Sequence, residues 1–393
     1  MAADLLPADR QPVIIAARRT PVCRTNGALR TVRAHELLAP VLSSLLQETA
    51  AAPGAVTDVV IGNAVGGGGN VARLALLEAG LPVSVPGITV DRQCGSGLDA
   101  IALAAQLVAA GGNPLYLAGG VESTSTAPLR AHRNSDGGPE FYARAQFVPA
   151  SFGDPDMGVA AETVARRYGI ARDRQDAFAL SSHRKALEAM VEGRYDQEIV
   201  PLAAAGGTVT ADDGPRRGLT PAVMGRFPAA FVAGGSVTAG NSCFDADAAS
   251  AVVMTSLQRA RDLGAEDGLL VLGTCTVGVA PDVLGVGAAE AARKLLSTHG
   301  VEAAGLDLVE FNEAFASQTL ACFDELGIDP ARANLDGGAL ALGHAYGASG
   351  AVLVTRLLAQ ARRAGTPGSL GLAMISSAGG MGTAALLRYG RLD

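Results

Sequence analysis

Short apolar runs alternate with longer stretches in which apolar residues recur at helical spacing. Residues 13–16, 59–61, 87–90 and 115–118 are short, apolar and bounded by turn residues, so they read as buried strands. Between them, residues 34–46, 71–79 and 97–109 carry the spacing of helices that pack one face on a sheet. Alternation of this kind predicts an α/β fold. The middle of the chain, from about 121 to 246, breaks the pattern. It is richer in Pro, Gly, Arg and Asp, and its clearest element is an amphipathic helix over 173–192. It reads as an insertion between two more regular halves, because alternation resumes near Ala248.

A repeat connects those halves. Cys94-Gly95-Ser96-Gly97 opens an aliphatic helix that ends at Gly111-Gly112, followed by a strand with Ala118-Gly119-Gly120. Gly347-Ala348-Ser349-Gly350 opens a second aliphatic helix ending near Gly365, followed by a strand and Ala378-Gly379-Gly380. The order of elements agrees, which predicts a duplicated α/β unit with a site where the halves meet.

Composition narrows the function classes. The 393 residues suffice for two to three domains at roughly 150 residues each. With 49% hydrophobic residues, 4% aromatics and no Trp, the chain is globular, with a core of Ala, Val, Leu and Ile. The 50 glycines permit close approach of backbones. A formal charge of −7 and no Lys/Arg run longer than two argue against nucleic-acid binding. Five scattered cysteines without CxxC spacing exclude a disulfide framework and a structural zinc site. No long uncharged apolar run occurs and the N-terminus carries acidic residues, so neither a membrane span nor a signal peptide is expected; the chain reads as cytoplasmic.

Four places can carry chemistry. Cys94 follows an apolar run and precedes a helix. The helix dipole and free backbone N–H groups at such a terminus lower a thiol pKa and favour a thiolate nucleophile. Position alone leaves an inert core thiol equally open. His344 lies in a glycine-bounded turn, where a catalytic imidazole and a structural one both occur. Asn312, before Glu313-Ala314-Phe315, is either a helix cap or a group that holds a water. Ser376-Ser377-Ala378-Gly379-Gly380-Met381-Gly382 is either a tight turn or a source of oxyanion-binding N–H groups. The glycine run at 66–69 lacks the Lys and spacing of a phosphate loop and reads as a turn.

Together these residues resemble the thiolase family over nearly the whole chain. Asp91-Arg92-Gln93-Cys94-Gly95-Ser96-Gly97-Leu98 is similar to the family's nucleophile motif. Gly119-Gly120-Val121-Glu122-Ser123 through Ala127-Pro128 resembles the start of its loop domain, and Arg174-Gln175-Asp176-Ala177-Phe178-Ala179 resembles a helix of that domain. Val237-Thr238-Ala239-Gly240-Asn241, Asn312 to Phe315, Gly343-His344 with Gly347 to Gly350, and Gly379 to Gly382 follow in the family's order.

The resemblance implies a five-layered αβαβα fold of two similar halves with an inserted loop domain. The expected divisions are 1–120 plus 247–267, 121–246 and 268–393. It implies that Cys94 takes an acyl group from a thioester, and that His344 activates it and contributes to an oxyanion hole in which Asn312 holds a water. The N–H groups of Cys94 and Ala378 would form a second hole. Met157, Arg216 (with Arg217 an equal candidate), Cys243, Ala314 and Phe315 fall at coenzyme A or acyl-pocket positions. No permanently bound cofactor or metal is implied; coenzyme A (or carrier-protein) thioesters are the substrates, in making or cleaving a β-ketoacyl carbon–carbon bond, and the partner is a second copy in a homodimer, with a tetramer as the alternative. The stretch 130–156 shows no obvious long arm for tetramerisation.

Two departures bear on mechanism. The family's second catalytic Cys, which moves the α-proton, aligns with Ser376, and a hydroxyl is a far weaker base at neutral pH. Non-decarboxylative condensation and thiolysis are therefore in question while acyl transfer to Cys94 is not. The alternatives are decarboxylative condensation, simple acyl transfer, or a catalytically weak partner subunit. The other departure is Asn241-Ser242-Cys243-Phe244-Asp245, where the family typically has N-A-S-G and an apolar residue. Asp156 likewise stands where many members have His. A reshaped acyl or coenzyme A pocket is expected.

Overall fold

The computed structural model describes residues 5–392; the first residues of the acidic N-terminus and the final Asp393 lie outside the described residues. The apolar runs become the strands Pro12–Arg19, Asp58–Gly62, Gly87–Val90 and Leu115–Ser123, and the helical stretches become Ala34–Thr49, Val71–Glu78 and Ser96–Ala109. Alternation along a strand sorts its side chains between layers. Val59 and Ile61 turn to Leu37, Leu42 and Leu76 of the outer helices, while Val60 turns inward to Leu98 and Ile101.

Each half of the sheet has the same plan. Pro12–Arg19 and Asp267–Gly278 meet at the centre through Val13↔Leu270 and Ile14↔Leu269. Outward from that seam, Pro12–Arg19, Ala246–Ser256 and Leu115–Ser123 pair antiparallel in turn, and then Asp58–Gly62 and Gly87–Val90 add in parallel. On the other side Asp267–Gly278, Met381–Arg391 and Leu370–Ser377 pair antiparallel, and Leu308–Phe311 adds in parallel. The fifth position of this half is reduced to a single parallel bridge, Val309↔Ala333.

Ser96–Ala109 and Tyr346–Ala364 form the middle layer. Leu98, Ile101 and Val108 pack with Val354, Leu357 and Leu358 between strand residues of both halves. Gly287–His299 and Ala316–Leu326 cover the far face, with Leu295, Leu296 and Phe323 against Phe311, Leu372 and Leu386. The layers therefore run α, β, α, β, α.

The two middle helices approach closely because glycine stands at the crossing. A Cβ on Gly97 would lie 2.5 Å from the Gly347 carbonyl oxygen, and one on Gly350 would lie 2.5 Å from the Leu98 nitrogen. Those are the matching glycines of the sequence repeat, and each faces the other half. The final element of the repeat is not equivalent. Ala118-Gly119-Gly120 lies inside the strand Leu115–Ser123, whereas Ala378-Gly379-Gly380 forms the turn after Leu370–Ser377, with φ of 84° and 81° at its glycines.

The middle region is more structured than its composition suggests. It holds the helices Met157–Arg167 and Arg172–Val191 and two hairpins. One hairpin, Ala131–Arg133 with Pro139–Phe141, occupies the stretch in which no arm was expected and leaves Phe141 exposed. The expected divisions at 120/121, 246/247 and 267/268 fall inside strands; the insertion leaves the sheet after Ser123 and returns at Ala246. A buried ion network ties it to both halves. Arg19 of the first strand pairs with Glu198 and Asp212, and Arg356 of the second middle helix pairs with Glu198 and Asp336.

Candidate active site

Cys94 sits in the turn between Gly87–Val90 and the helix Ser96–Ala109. Gln93, just before it, has φ of +51°, a left-handed conformation uncommon for a residue with a side chain. The turn is closed by Ser96, whose Oγ accepts from Arg92 N at 2.8 Å and donates to Gln93 O at 2.6 Å. Ser377 Oγ lies 2.7 Å from where a Gly95 Cβ would be, so the turn has no room for a side chain there.

The thiol opens on a pocket of about 500 Å³ whose wall includes Ala378, Met157, Phe147, Asp245 and Tyr346. Burial pushes the Cys94 thiol up to about 12, against the N–H groups of Ala378 and of Cys94 itself, and the charges of Glu122 and Asp245 add to the rise. The sequence-based expectation of a lowered thiol pKa is therefore reversed in the ligand-free site. Local dipoles act as anticipated, but burial and two carboxylates outweigh them.

His344 is 4% exposed and lies on the loop before the second middle helix. Its Nδ1 is 2.7 Å from Ser349 Oγ, and among the described residues its buried Nε2 has no partner. Burial lowers its pKa to about 4, so the ring is neutral near pH 7. With Nδ1–H donating to Ser349, Nε2 is left as a proton acceptor. Asn312 follows the strand Leu308–Phe311, is 2% exposed, and likewise has a buried Nδ2 without a partner. Leaving such a group unpaired costs roughly 1–3 kcal/mol. Asn312 lines a cavity with Gly343, Ala345 and Ser349, the neighbours and hydrogen-bond partner of His344, so the two unpaired groups mark a place built for a ligand oxygen or a water.

Glu122 ties these parts together. It is 1% exposed; its carboxylate accepts from Asn63 Nδ2, Ala64 N and Val65 N of one half and from Gly347 N at the start of the histidine helix. Burial raises its pKa to about 7, with the three backbone donors opposing.

Ser376 is oriented elsewhere. Its Oγ donates to Gly285 O at 2.7 Å and accepts from Ala288 N at 3.0 Å, and it is absent from the pocket wall. Both hydrogen-bonding functions of the hydroxyl are committed to backbone, so it offers the pocket neither a base nor a free donor.

Of the expected coenzyme A positions, Met157 lines the Cys94 pocket. Cys243 N donates to Ala314 O at 2.9 Å, and the Cys243 thiol is pushed up by burial and then by Asp245 and Cys94. Phe315 meets Phe231 edge-on at 6.0 Å; Phe231 lies against Gly158, whose Cβ would fall 2.1 Å from the ring. Arg216 is not in the Cys94 pocket. It lines a separate small cavity with His183 and Phe244, and its backbone N–H donates to His183 Nδ1 at 3.2 Å. Arg217 is exposed. Phe244 belongs to that second cavity, with the Arg24 guanidinium 3.9 Å over its ring, so its bulk does not narrow the Cys94 pocket. Asp156 pairs with Arg144 at 2.9 Å.

Sequence reasoning missed Glu122, Tyr346 and Phe231 as parts of the site. Their partners lie far away in the chain: Glu122 meets Gly347, Tyr346 meets Asp245 and Phe231 meets Phe315.

The comparisons agree with this geometry. The thiolase N-terminal domain model matches residues 12–258 and the thiolase C-terminal domain model matches 270–389. The chain is 41% identical over 380 residues to "Putative acetyl-CoA C-acetyltransferase VraB" of Staphylococcus aureus (strain MRSA252), covering 96% of this chain and 98% of that one. It is 41% identical over 381 residues to the protein of the same name from Staphylococcus epidermidis, with the same coverage. A crystal structure of the Bacillus anthracis acetyl-CoA acetyltransferase superposes with a TM-score of 0.87 at 33% identity, covering 97% of this chain and 99% of that one. No helix among the described residues is long and apolar enough to cross a membrane. With family models matched across both halves, this chain belongs to the thiolase family and is an acyltransferase acting on acyl-CoA thioesters.

Proposed function

We propose that the enzyme works through an acyl-Cys94 intermediate and makes or cleaves the carbon–carbon bond of a β-ketoacyl-CoA. The observation that carries this reading is the unpartnered buried Nε2 of His344, whose ring meets Tyr346 of the Cys94 pocket wall at 5.2 Å; the Nδ2 of Asn312 is likewise buried without a partner among the described residues. His344 Nε2 takes the thiol proton, which overcomes the high resting pKa only when a thioester is in place. The thiolate attacks the thioester carbonyl, and its oxyanion is held by the N–H groups of Cys94 and Ala378. His344 then returns the proton to the departing coenzyme A sulfur. In the second half-reaction the thioester oxygen of the incoming acyl-CoA lies in the other hole, formed by a water on Asn312 and by His344 in its Nε2–H tautomer, with the Ser349 hydroxyl donating to Nδ1.

Residues 121–246 bind coenzyme A in this reading, with Met157, Cys243, Ala314 and Phe315 along the pantetheine or acyl group and Arg216 near the nucleotide. Free thiols at all five cysteines suit a reducing compartment, the cytoplasm. The assembly is at least a homodimer: Gly87–Val90 ends the sheet with an unpaired edge and Ile88 exposed, a feature that a second copy covers.

Intact-mass analysis after mixing with acetyl-CoA tests the intermediate. One acetyl adduct is expected, absent from Cys94→Ala. No adduct on the wild type, or an adduct that survives Cys94→Ala, would overturn the reading.

A further inference from the structure

A Claisen condensation needs a base for the α-proton of the second thioester, and the Ser376 hydroxyl is held by Gly285 O and Ala288 N. A different acid–base group stands in the pocket wall beside Cys94: Asp245. Its backbone is fixed against that of His344. His344 N donates to Phe244 O at 2.9 Å and Ala246 N donates to His344 O at 3.2 Å, which sets Asp245 opposite His344 in a bridge. Tyr346 fixes the side chain. Its Oη donates to Asp245 Oδ1 at 2.6 Å, and its ring meets the His344 ring edge-on at 5.2 Å. Tyr346 has φ of +27°, a left-handed backbone that costs of order 1–3 kcal/mol and that the surrounding fold maintains. Asp245 Oδ2 has no partner among the described residues, and Asp245 is exposed to the pocket. Its negative charge reaches both the Cys94 and the Cys243 thiols. The cations in the same wall are occupied: Arg144 pairs with Asp154 and Asp156, and Arg130 donates to Ala64 O and Gly66 O.

We propose that Asp245 is the catalytic base of the second half-reaction, with Tyr346 as its positioning residue. This rests on the acyl-Cys94 reading above. Asp245 Oδ2 takes a proton from the α-carbon of the second acyl-CoA; the C–H electron pair becomes the enolate, whose oxygen lies in the hole of Asn312 and His344. The enolate carbon attacks the carbonyl of acyl-Cys94, the new C–C bond forms, the C–S bond breaks, and Cys94 leaves as thiolate. The proton on Asp245 then passes to that thiolate through His344 or water. In thiolysis the protonated Asp245 delivers its proton to the departing carbanion. The same carboxylate disfavours a second substrate that itself carries a carboxylate at this place, so the substrate class is the uncarboxylated acyl-CoA rather than a malonyl thioester.

The test uses acetyl-CoA in deuterated water with the full-length enzyme. Deuterium entering the acetyl methyl reads proton abstraction, and intact mass reads acetylation of Cys94. Asp245→Asn, nearly isosteric and able to keep the Tyr346 hydrogen bond, is expected to slow deuterium entry at least ~100-fold while Cys94 is acetylated to the wild-type extent. Tyr346→Phe is expected to lower the exchange rate by a smaller factor at unchanged KM for acetyl-CoA. Exchange at the wild-type rate in Asp245→Asn, with acetylation intact, would refute the base. Loss of acetylation together with exchange in that variant would also refute it, since it would mark a structural role. Absence of acetylation in the wild type would instead remove the intermediate itself.

Discussion

Gly97→Ala places a single methyl at the crossing of the two middle helices. Its Cβ would fall 2.5 Å from the Gly347 carbonyl oxygen and 3.0 Å from the Ala351 nitrogen, where ordinary contact begins at 3.4 Å. Both atoms are backbone and cannot rotate away, so the helices must part by roughly an ångström, a displacement of the size that costs about 100-fold in rate when it separates reacting groups. One helix carries Cys94 at its start and the other follows His344, so the displacement falls on the nucleophile and its base together. For stability, overpacking costs about 1–3 kcal/mol, and exchanging Gly for Ala in a helix returns up to about 1 kcal/mol. A net loss of about 1–2 kcal/mol is expected. The larger effect is in acylation: the initial rate of Cys94 acetylation, followed by rapid quench and intact mass, should drop about 100-fold. Gly206→Ala is the control, because nothing lies within 4 Å of its Cβ position and its φ is not positive. Wild-type acetylation by Gly97→Ala would refute the claim that this crossing sets the geometry of the site.

Removing Arg356 takes one cation from each of the buried Glu198 and Asp336, leaving Arg19 on the first and Arg194 and Arg363 on the second, so Arg356→Ala should destabilise by about 1–3 kcal/mol in urea unfolding and open residues 121–246 to limited proteolysis. Glu122→Gln replaces an acceptor of four N–H donors by a group that can accept at one oxygen only, and a loss of about 1–3 kcal/mol is expected, with slower Cys94 acetylation. Stability should also fall on both sides of the weakly acidic range. His344 and His183 are each lowered to about 4 by burial, so the unfolded chain binds protons first and stability declines as pH drops below 6.5, by up to roughly 3 kcal/mol per imidazole. Glu310 is raised to about 8 by burial; its contribution is complete below about 4.5 and is lost as pH rises through 8. Glu310→Gln should flatten that alkaline arm, and an unchanged slope would count against the assignment.

Much of the site was legible because its groups stand at strand-to-helix junctions. Cys94 and His344 stand next to glycines, Asn312 lies between an apolar run and a helix, and the repeat pairs the Cys94 and His344 loops with Ser96 and Ser349. The structure shows what that matching buys: each serine fastens its own loop, Ser96 to Gln93 and Ser349 to His344. The pocket's electrostatics were not legible. A helix terminus is a local feature, but the burial that raises the Cys94 thiol is made by the whole fold. Tyr346 reaches Asp245 across 101 residues and Glu122 reaches Gly347 across 225, and no local spacing encodes such contacts. Ser376 ends up in the strand Leu370–Ser377, and the direction of its hydroxyl is set by Gly285 and Ala288, which its motif does not contain.

The location of the site follows from the duplication. Two similar halves that share a pair of central helices bring the starts of those helices side by side, and small residues at 97, 347 and 350 let them touch. Cys94 precedes one helix start and His344 the other, and in the proposed mechanism the hairpin turn at Ala378 adds an N–H group from a third direction. A site of that kind can differentiate without changing the fold, because its outer wall comes from the insertion and the segments that re-enter the sheet. Asp245 lies on such a segment, immediately before the strand Ala246–Ser256. Its exchange for an apolar residue would leave the strand register unaltered while removing the only pocket carboxylate aligned with His344 among the described residues.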